Sequence, residues 1–425
     1  MIWTKDEKYD FVYGFDPSTG MYIRTDVLDE NGRETGIQPF RASMPHLIDV
    51  GIMGRCIHGS SGLCAKSGVQ CYQNGPRRND PNMTLENFEL ICKQCSGKVQ
   101  QFALGGAGDP DQHENFEEIL KLCRTYGIVP NFTTSGLGMT PEIAVLCKQY
   151  CGAVAVSQYS RLKHVIIGKV KNKYWDAKDE QFVSQYGDKG EWYMESEEEL
   201  GTILDNLWCE YHHKWDDDKI IFKDVYYESG SYTIKAIHML LDAGVKTNIH
   251  YVVGNQSIDE LLIRLRINGF PKSINAVVLL LHKPVGLGMA KNVLEVNDDR
   301  VGEMYQMLSE PRPFKIGMDS CNVPGAINFC NDMMLESLDT CEGGRFSCYI
   351  GADMIMVPCS FDQDKKYGCD LRKMTIQDAW DSDLFEAFRN IMRGACPNCK
   401  NRENCLGGCP LKPEIVLCNK KEKKK

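Results

Sequence analysis

The chain has 425 residues, enough for two or three domains at about 100–200 residues each. Hydrophobic residues make up 43% and charged residues 25%, which excludes general disorder and allows a sizeable core. Lys and Arg number 49 against 58 Asp and Glu, and the net charge of −9 argues against nucleic acid as the main partner.

The first ten residues contain no apolar stretch of the signal-peptide kind. The longest apolar run is six residues, 276–281, far short of the roughly 18 that a membrane span needs. The expectation is a cytoplasmic protein without membrane contact, in which thiols stay reduced. The Lys-rich C-terminus, 419–425, reads as a solvated tail.

Residues 1–41 read as a β-rich N-terminal extension. Segments 10–13 and 22–26 flank Asp16, Pro17, Ser18, Thr19 and Gly20, which is hairpin-turn chemistry. From about residue 42 to 315 strands alternate with helices. Strands are expected at 47–52, 102–104, 129–133, 153–157, 247–253 and 276–281. Helical patterns cover 114–126, 141–151 and 232–243. Buried strands alternating with helices give a parallel sheet, so the fold class is α/β, an open or partial barrel of six units. Residues 165–231 interrupt it as a charged insertion holding Trp175, Trp192, Trp208 and Trp215. That insertion reads as a surface subdomain or as a substrate-docking lid. His212 and His213, with Asp216, Asp217 and Asp218, read as a solvated face.

Twenty cysteines in such a chain point to metal or catalysis. Three lie in 56–71, six between 92 and 209, none in 210–320 and eleven in 321–418. Cys56, Cys64 and Cys71 directly follow the first barrel strand. Three thiolates leave a tetrahedral structural zinc site incomplete. Around a four-iron cluster they leave one iron open to a substrate or cofactor.

Here the chain resembles the radical S-adenosylmethionine (SAM) enzymes, which place three cysteines after the first strand of a partial (β/α)6 barrel. The family spacing is Cys-x3-Cys-x2-Cys. This loop is stretched to Cys-x7-Cys-x6-Cys but keeps the Cys71-Tyr72 ending. After the second strand, Gly105, Gly106, Ala107, Gly108, Asp109 and Pro110 resemble the Gly-Gly-Glu-Pro motif that lies along the amino group of SAM. Asp109 stands for the Glu. Glycines permit such close backbone approach. The resemblance implies SAM contacts from Gly105, Gly106, Gly108, Asp109 and Tyr72. Softer ones come from Ser135, Ser157, Gln158 and His250 at the ends of strands three, four and five. Asn255 follows strand five, and Leu279 to Leu281 with Pro284, Val285 and Gly286 end strand six. Strand ends carry the chemistry in barrels.

Residues 316–418 resemble the SPASM extension of such enzymes. Cys396, Cys399, Cys405 and Cys409 form Cys-x2-Cys-x5-Cys-x3-Cys, followed by Cys418 and preceded by Cys341 and Cys359. The resemblance implies two auxiliary [4Fe-4S] clusters. One uses Cys396, Cys399, Cys405 and Cys418. The other uses Cys341, Cys359, Cys409 and Cys321, with Cys330 and Cys348 as alternatives to Cys321. Met354 replaces a Gly of the pattern. Cys92, Cys95, Cys123, Cys147, Cys151 and Cys209 read as buried thiols in helical patterns, and Cys369 has no place in the motif.

The resemblance implies an oxidoreductase with three [4Fe-4S] clusters that reductively cleaves SAM and abstracts hydrogen from a peptide. The implied role is maturation of a ribosomally made peptide by a thioether link, a carbon–carbon link or oxidation. The implied partners are that peptide or protein and an electron donor such as flavodoxin or ferredoxin. Sulfatase maturation is the alternative enzyme reading. It expects an Asp after Cys359, where this chain has Ser360, so Asp353 and Asp319 become the candidate proton acceptors. The third reading is an iron–sulfur electron carrier or zinc scaffold, which needs neither an open iron nor the Gly-rich motif.

Overall fold

The computed structural model describes residues 1–59, 62, 70–159, 161–170, 182–186, 192–194, 207–213, 220–229, 231–271, 273–330 and 338–419. The N-terminal extension is an antiparallel sheet of β1 (Ile2–Asp6), β2 (Phe11–Phe15) and β3 (Tyr22–Arg24). The Asp16 carboxylate folds the connecting turn, accepting from Ser18 N at 2.9 Å and Thr19 Oγ1 at 2.7 Å. β1, which adds a third strand to the hairpin, was not expected from the sequence.

The barrel strands follow the expected order. They are β4 (Leu47–Met53), β5 (Gln101–Gly106), β6 (Val129–Thr134) and β7 (Val154–Ser157). Between them run α1 (Leu85–Cys95), α2 (Phe116–Thr125) and α3 (Pro141–Tyr150). Thr84 and Thr140 cap α1 and α3 by accepting the amides of Asn87 and Ile143. The insertion is an antiparallel sheet of β8 (Arg161–Val170), β9 (Phe182–Tyr186), β10 (Trp192–Met194), β11 (Leu207–His213) and β12 (Ile220–Ser229), in the order β10-β9-β8-β12-β11. Trp175, Trp215 and Asp216 to Asp218 lie outside the described residues.

The barrel resumes with α4 (Ser231–Asp242), β13 (Thr247–Val253), α5 (Ile258–Ile267), β14 (Ala276–Leu281), α6 (Asp299–Leu308) and β15 (Lys315–Met318). Then come α7 (Val323–Phe329), β16 (Ser347–Ile350), β17 (Ile355–Val357), β18 (Cys369–Asp370), α8 (Ile376–Trp380) and α9 (Asp383–Gly394). The sheet order is β15-β14-β13-β7-β6-β5-β4-β16-β17-β18, and the pairs from β15 through to β16 are parallel. β16 therefore crosses the boundary expected at 315 and lies beside β4, with Ile48 opposite Cys348 and Val50 opposite Ile350.

Strand alternation separates two faces. Ile48, Val50, Phe102, Leu104, Phe132, Val156 and Ile249 are buried in one core with Phe88, Ile91, Ile119 and Leu240 of the helices. Asp49, Ala103, Thr133, His250 and Val278 are only partly covered, because they face the open inside of the curved sheet. Among the described residues no helix is long and apolar enough to cross a membrane.

Candidate functional site

Strand β4 ends at Met53, and the chain turns at once into the first cysteine loop. The Cys56 thiol faces both Cys71 and Asp109, and burial pushes it above its ordinary value. Gly75 N donates to Cys71 Sγ at 3.3 Å. Cys64 lies outside the described residues. The Gly-rich motif after β5 is pressed against this loop: a Cβ on Gly108 would come within 2.5 Å of Arg55 O and 3.1 Å of the Cys56 Cα. Only glycine allows that approach. At Gly105 a Cβ would meet nothing within 4 Å, so this side of the motif is open.

Asp109 accepts from Ser135 Oγ at 2.5 Å, and His58 Nε2 lies 3.7 Å from its carboxylate. Asp111, unremarked in the sequence, is buried beside it. Burial and the neighbouring Asp109 push its carboxyl up to about 6, and among the described residues its Oδ1 has no hydrogen-bond partner. Two adjoining buried carboxylates, one with an orphan oxygen, suit a cationic ligand such as an ammonium. Deeper in, His250 contacts Thr133 Oγ1 at 3.2 Å, and burial pulls its imidazole down to about 4. Gln158 N donates to His250 O at 2.9 Å, and Ser157 pairs with His250 across β7 and β13.

The far rim comes from the loop after β14. Gly286 has φ +62°, and a Cβ there would lie 2.2 Å from Tyr72 O. Leu287 N donates to Cys71 O at 3.0 Å. Tyr72 keeps 37% of its surface exposed. Its ring packs on Phe361 with centroids 4.8 Å apart.

Phe361 belongs to the second thiol group. Cys321 and Cys409 are within hydrogen-bonding reach of each other, and Cys341 neighbours Cys321 and Cys359. A Cβ on Gly343 would touch Cys359 Cβ at 3.4 Å and Cys341 Sγ at 3.7 Å. Burial pushes the Cys341 thiol up to about 12 and raises Cys359 as well. Cys330 points elsewhere, donating to Tyr305 O at 3.6 Å. Cys348 is a buried core residue of β16 beside Cys95. Cys369 contacts Ser382 Oγ at 3.4 Å. In the last group, Cys405 neighbours Cys396 and Cys418, and Cys399 N bonds to Cys396 O at 3.0 Å. Among the described residues no three His, Cys, Asp or Glu close to the spacing of a single-ion site. The thiols are neighbours without forming the shell of one ion. All-thiol groups of four suit an iron–sulfur cluster.

Two candidate proton acceptors sit differently. Asp319 is ion-paired with Lys283 at 2.6 Å and accepts from Asn322 Nδ2 at 2.7 Å. Asp353 pairs with Lys365 and lines a small polar cavity of about 30 Å³ with Gln73, Arg78, Tyr349 and Ser360. Lys283, Phe361, Gln73 and Asp111 escaped the sequence reading. The one available signal was Lys283, a lone charge ending an apolar strand just before Pro284.

Solved structures share this architecture. Streptococcus suis SuiB bound to S-adenosylmethionine matches at a TM-score of 0.56, 14% identity, 89% of this chain and 78% of SuiB. SuiB bound to the precursor peptide SuiA matches at 0.55, with 14% identity, 89% and 77%. The structure of anSMEcpe with bound AdoMet matches at 0.55, 14% identity, 88% of this chain and 92% of that one. The chain has the partial-barrel fold of these proteins. That fold accounts for the parallel strands from β4 to β15. No family model matches the sequence, and no curated protein matches it.

Proposed function

We propose that this chain is a radical SAM oxidoreductase of the SPASM type that matures a ribosomally made peptide. The observation that carries the reading is the gathering of Cys321, Cys341, Cys359 and Cys409 directly behind the Cys71–Tyr72 rim. These four thiols adjoin the loop that carries Cys56 and Cys71. Cys56, Cys64 and Cys71 hold the SAM-binding [4Fe-4S] cluster. One auxiliary cluster sits on Cys321, Cys341, Cys359 and Cys409, and the other on Cys396, Cys399, Cys405 and Cys418. When bound, the first cluster would supply the electron for reductive cleavage of SAM.

The residues of the chain bind and orient. Asp109 and Asp111 receive the SAM ammonium, and the open backbone at Gly105 and Gly106 admits its methionine part. Gly108 lets the motif close on Cys56. Ser135 fixes the Asp109 carboxylate, and Ser157, Gln158 and His250 line the inner strand ends. His250 stays neutral at pH 7, so it offers SAM no competing positive charge. Asp353, which lines a polar cavity with Ser360 and whose partner Lys365 is exposed, is the better-placed acceptor for a substrate proton, since Asp319 is locked to the buried Lys283. Binding of a precursor peptide by SuiB and of a peptide by anSMEcpe supports the peptide substrate. The reading places the protein in the cytoplasm with a flavodoxin or ferredoxin as donor.

The test is anaerobic reconstitution with iron and sulfide, followed by dithionite and SAM. We expect about twelve irons per chain and formation of 5′-deoxyadenosine. Cys321→Ala should lose about four irons, whereas Cys330→Ala and Cys348→Ala keep them. Cys71→Ala should abolish deoxyadenosine. Full clusters with no deoxyadenosine from the parent protein would favour the electron-carrier reading instead.

A further inference from the structure

Lys283 has no part in the scheme above, yet it sits where the two thiol sites meet. It follows β14, and its side chain is 4% exposed. The ammonium is held on three sides. It donates to Asp319 at 2.6 Å and to Leu281 O at 3.1 Å, and it lies 4.6 Å from the centroid of the Phe361 ring. Asp319 is two residues before Cys321, and Phe361 is two residues after Cys359. One buried cation is thus fixed against the segments carrying two of the four thiols. A buried ion pair is weak as a stabilising device, because desolvation offsets the attraction. Apolar residues of similar volume would fill the space as well. The arrangement calls for a use of the charge itself.

We propose that Lys283 is a positioning residue whose fixed positive charge sets the reduction potential of the cluster on Cys321, Cys341, Cys359 and Cys409. The inference rests on the assignment of that cluster under the proposed function. Reduction adds one electron, and a cation held in a low-dielectric interior stabilises the more negative state. Lys283 lies against Phe361 on the Cys359 segment, whereas Asp319 leads into the Cys321 segment. The pair therefore presents its positive end to the Cys359 side. An auxiliary site with a raised potential is the better acceptor for an electron left on a substrate after hydrogen abstraction. In that case the oxidised cluster would take the electron, and a base the substrate proton.

The experiment uses the full chain carrying Cys71→Ala, so that the auxiliary clusters alone report. Redox titration is followed by electron paramagnetic resonance, with iron counted in every sample. Lys283→Met should keep its iron and shift one cluster to lower potential. The reduction constant should fall at least tenfold, which is about 59 mV for one electron. Lys283→Arg should restore the parent potential, which a purely steric role for Lys283 would not require. If Lys283→Met sheds iron, the double variant Lys283→Met with Asp319→Asn, which leaves no lone buried charge, should still lower the potential, by less than the single variant because a negative charge leaves with the positive one. Full iron with a reduction constant within twofold of the parent overturns the proposal. So does a Lys283→Arg protein that behaves like Lys283→Met. If Cys321→Ala loses no iron, the cluster assignment itself fails, and the proposal fails with it. Counting iron separates that case from a failure of Lys283 alone.

Discussion

Asp49 shows how much one position inside the barrel depends on its surroundings. It sits mid-strand on the inner face of β4, and burial together with the Glu342 charge pushes its carboxyl up to about 7 from an ordinary 3.8. Between these values the folded state binds more proton than the unfolded state, so stability falls as pH rises through that window. Asp49→Asn removes the titration. The apo variant should match the parent near pH 4 and exceed it at pH 8 by on the order of 2 kcal/mol in urea unfolding. A stability difference that stays constant from pH 4 to pH 8 would count against the buried-carboxylate account. The sequence offered no hint of this residue. An Asp in an apolar strand announces itself only once Glu342 is known to lie nearby, 293 positions away.

Elements were readable where the pattern was continuous. Thr247–Val253 and Ala276–Leu281 came out at their true limits, because an apolar strand buried on one face keeps its period to both ends. The strand Ser347–Ile350 was invisible. It has four residues, lies among cysteines and earns its place only by pairing with β4. The five strands of the insertion escaped for a related reason, since charge and aromatic content there mask any alternation. Site elements divide the same way. Motif glycines announced the Asp109 loop, whereas Lys283 and Phe361 meet only through tertiary packing. The loop after β14 was noted for its sequence, and the structure adds its task, which is to hold Cys71 and Tyr72. Gly286→Ala should therefore disturb the first cysteine loop. Its φ of +62° is strained for alanine, and the added methyl would collide with Tyr72 O at 2.2 Å. A loss of about 1–3 kcal/mol is expected in thermal melts of the apoprotein, with reduced iron retention at the first site. Gly20→Ala has a similar φ, +71°, and open space around it. It should cost about 1 kcal/mol and leave the iron unchanged.

At the scale of the whole molecule, the expected boundary between barrel and Cys-rich region is not a seam. β16 covers the outer edge of β4, and Tyr349 stands over Gly51, where a Cβ would come within 2.2 Å of its hydroxyl. The N-terminal sheet closes the same corner from the other side. Arg24 pairs with Asp339 and Glu342 and lies 4.1 Å from the Phe346 ring centroid. Arg345 donates to Phe40 O at 2.6 Å, and the buried indole of Trp380 donates to Ala42 O at 3.0 Å. Residues 338–394 are thus wrapped by residues 24–50, and both groups flank Cys341. A chain ending at residue 318 would keep every expected barrel strand but expose the β4 edge and strip Phe346 from its cluster with Phe11, Tyr13 and Ala42. An uncovered apolar edge strand pairs with other chains. That fragment should elute as aggregate in size-exclusion chromatography while the full chain stays discrete. The full chain should also unfold in one transition that near-ultraviolet circular dichroism and tryptophan fluorescence report at the same midpoint. A discrete, cooperatively folded 1–318 fragment would show instead that the barrel is complete without β16.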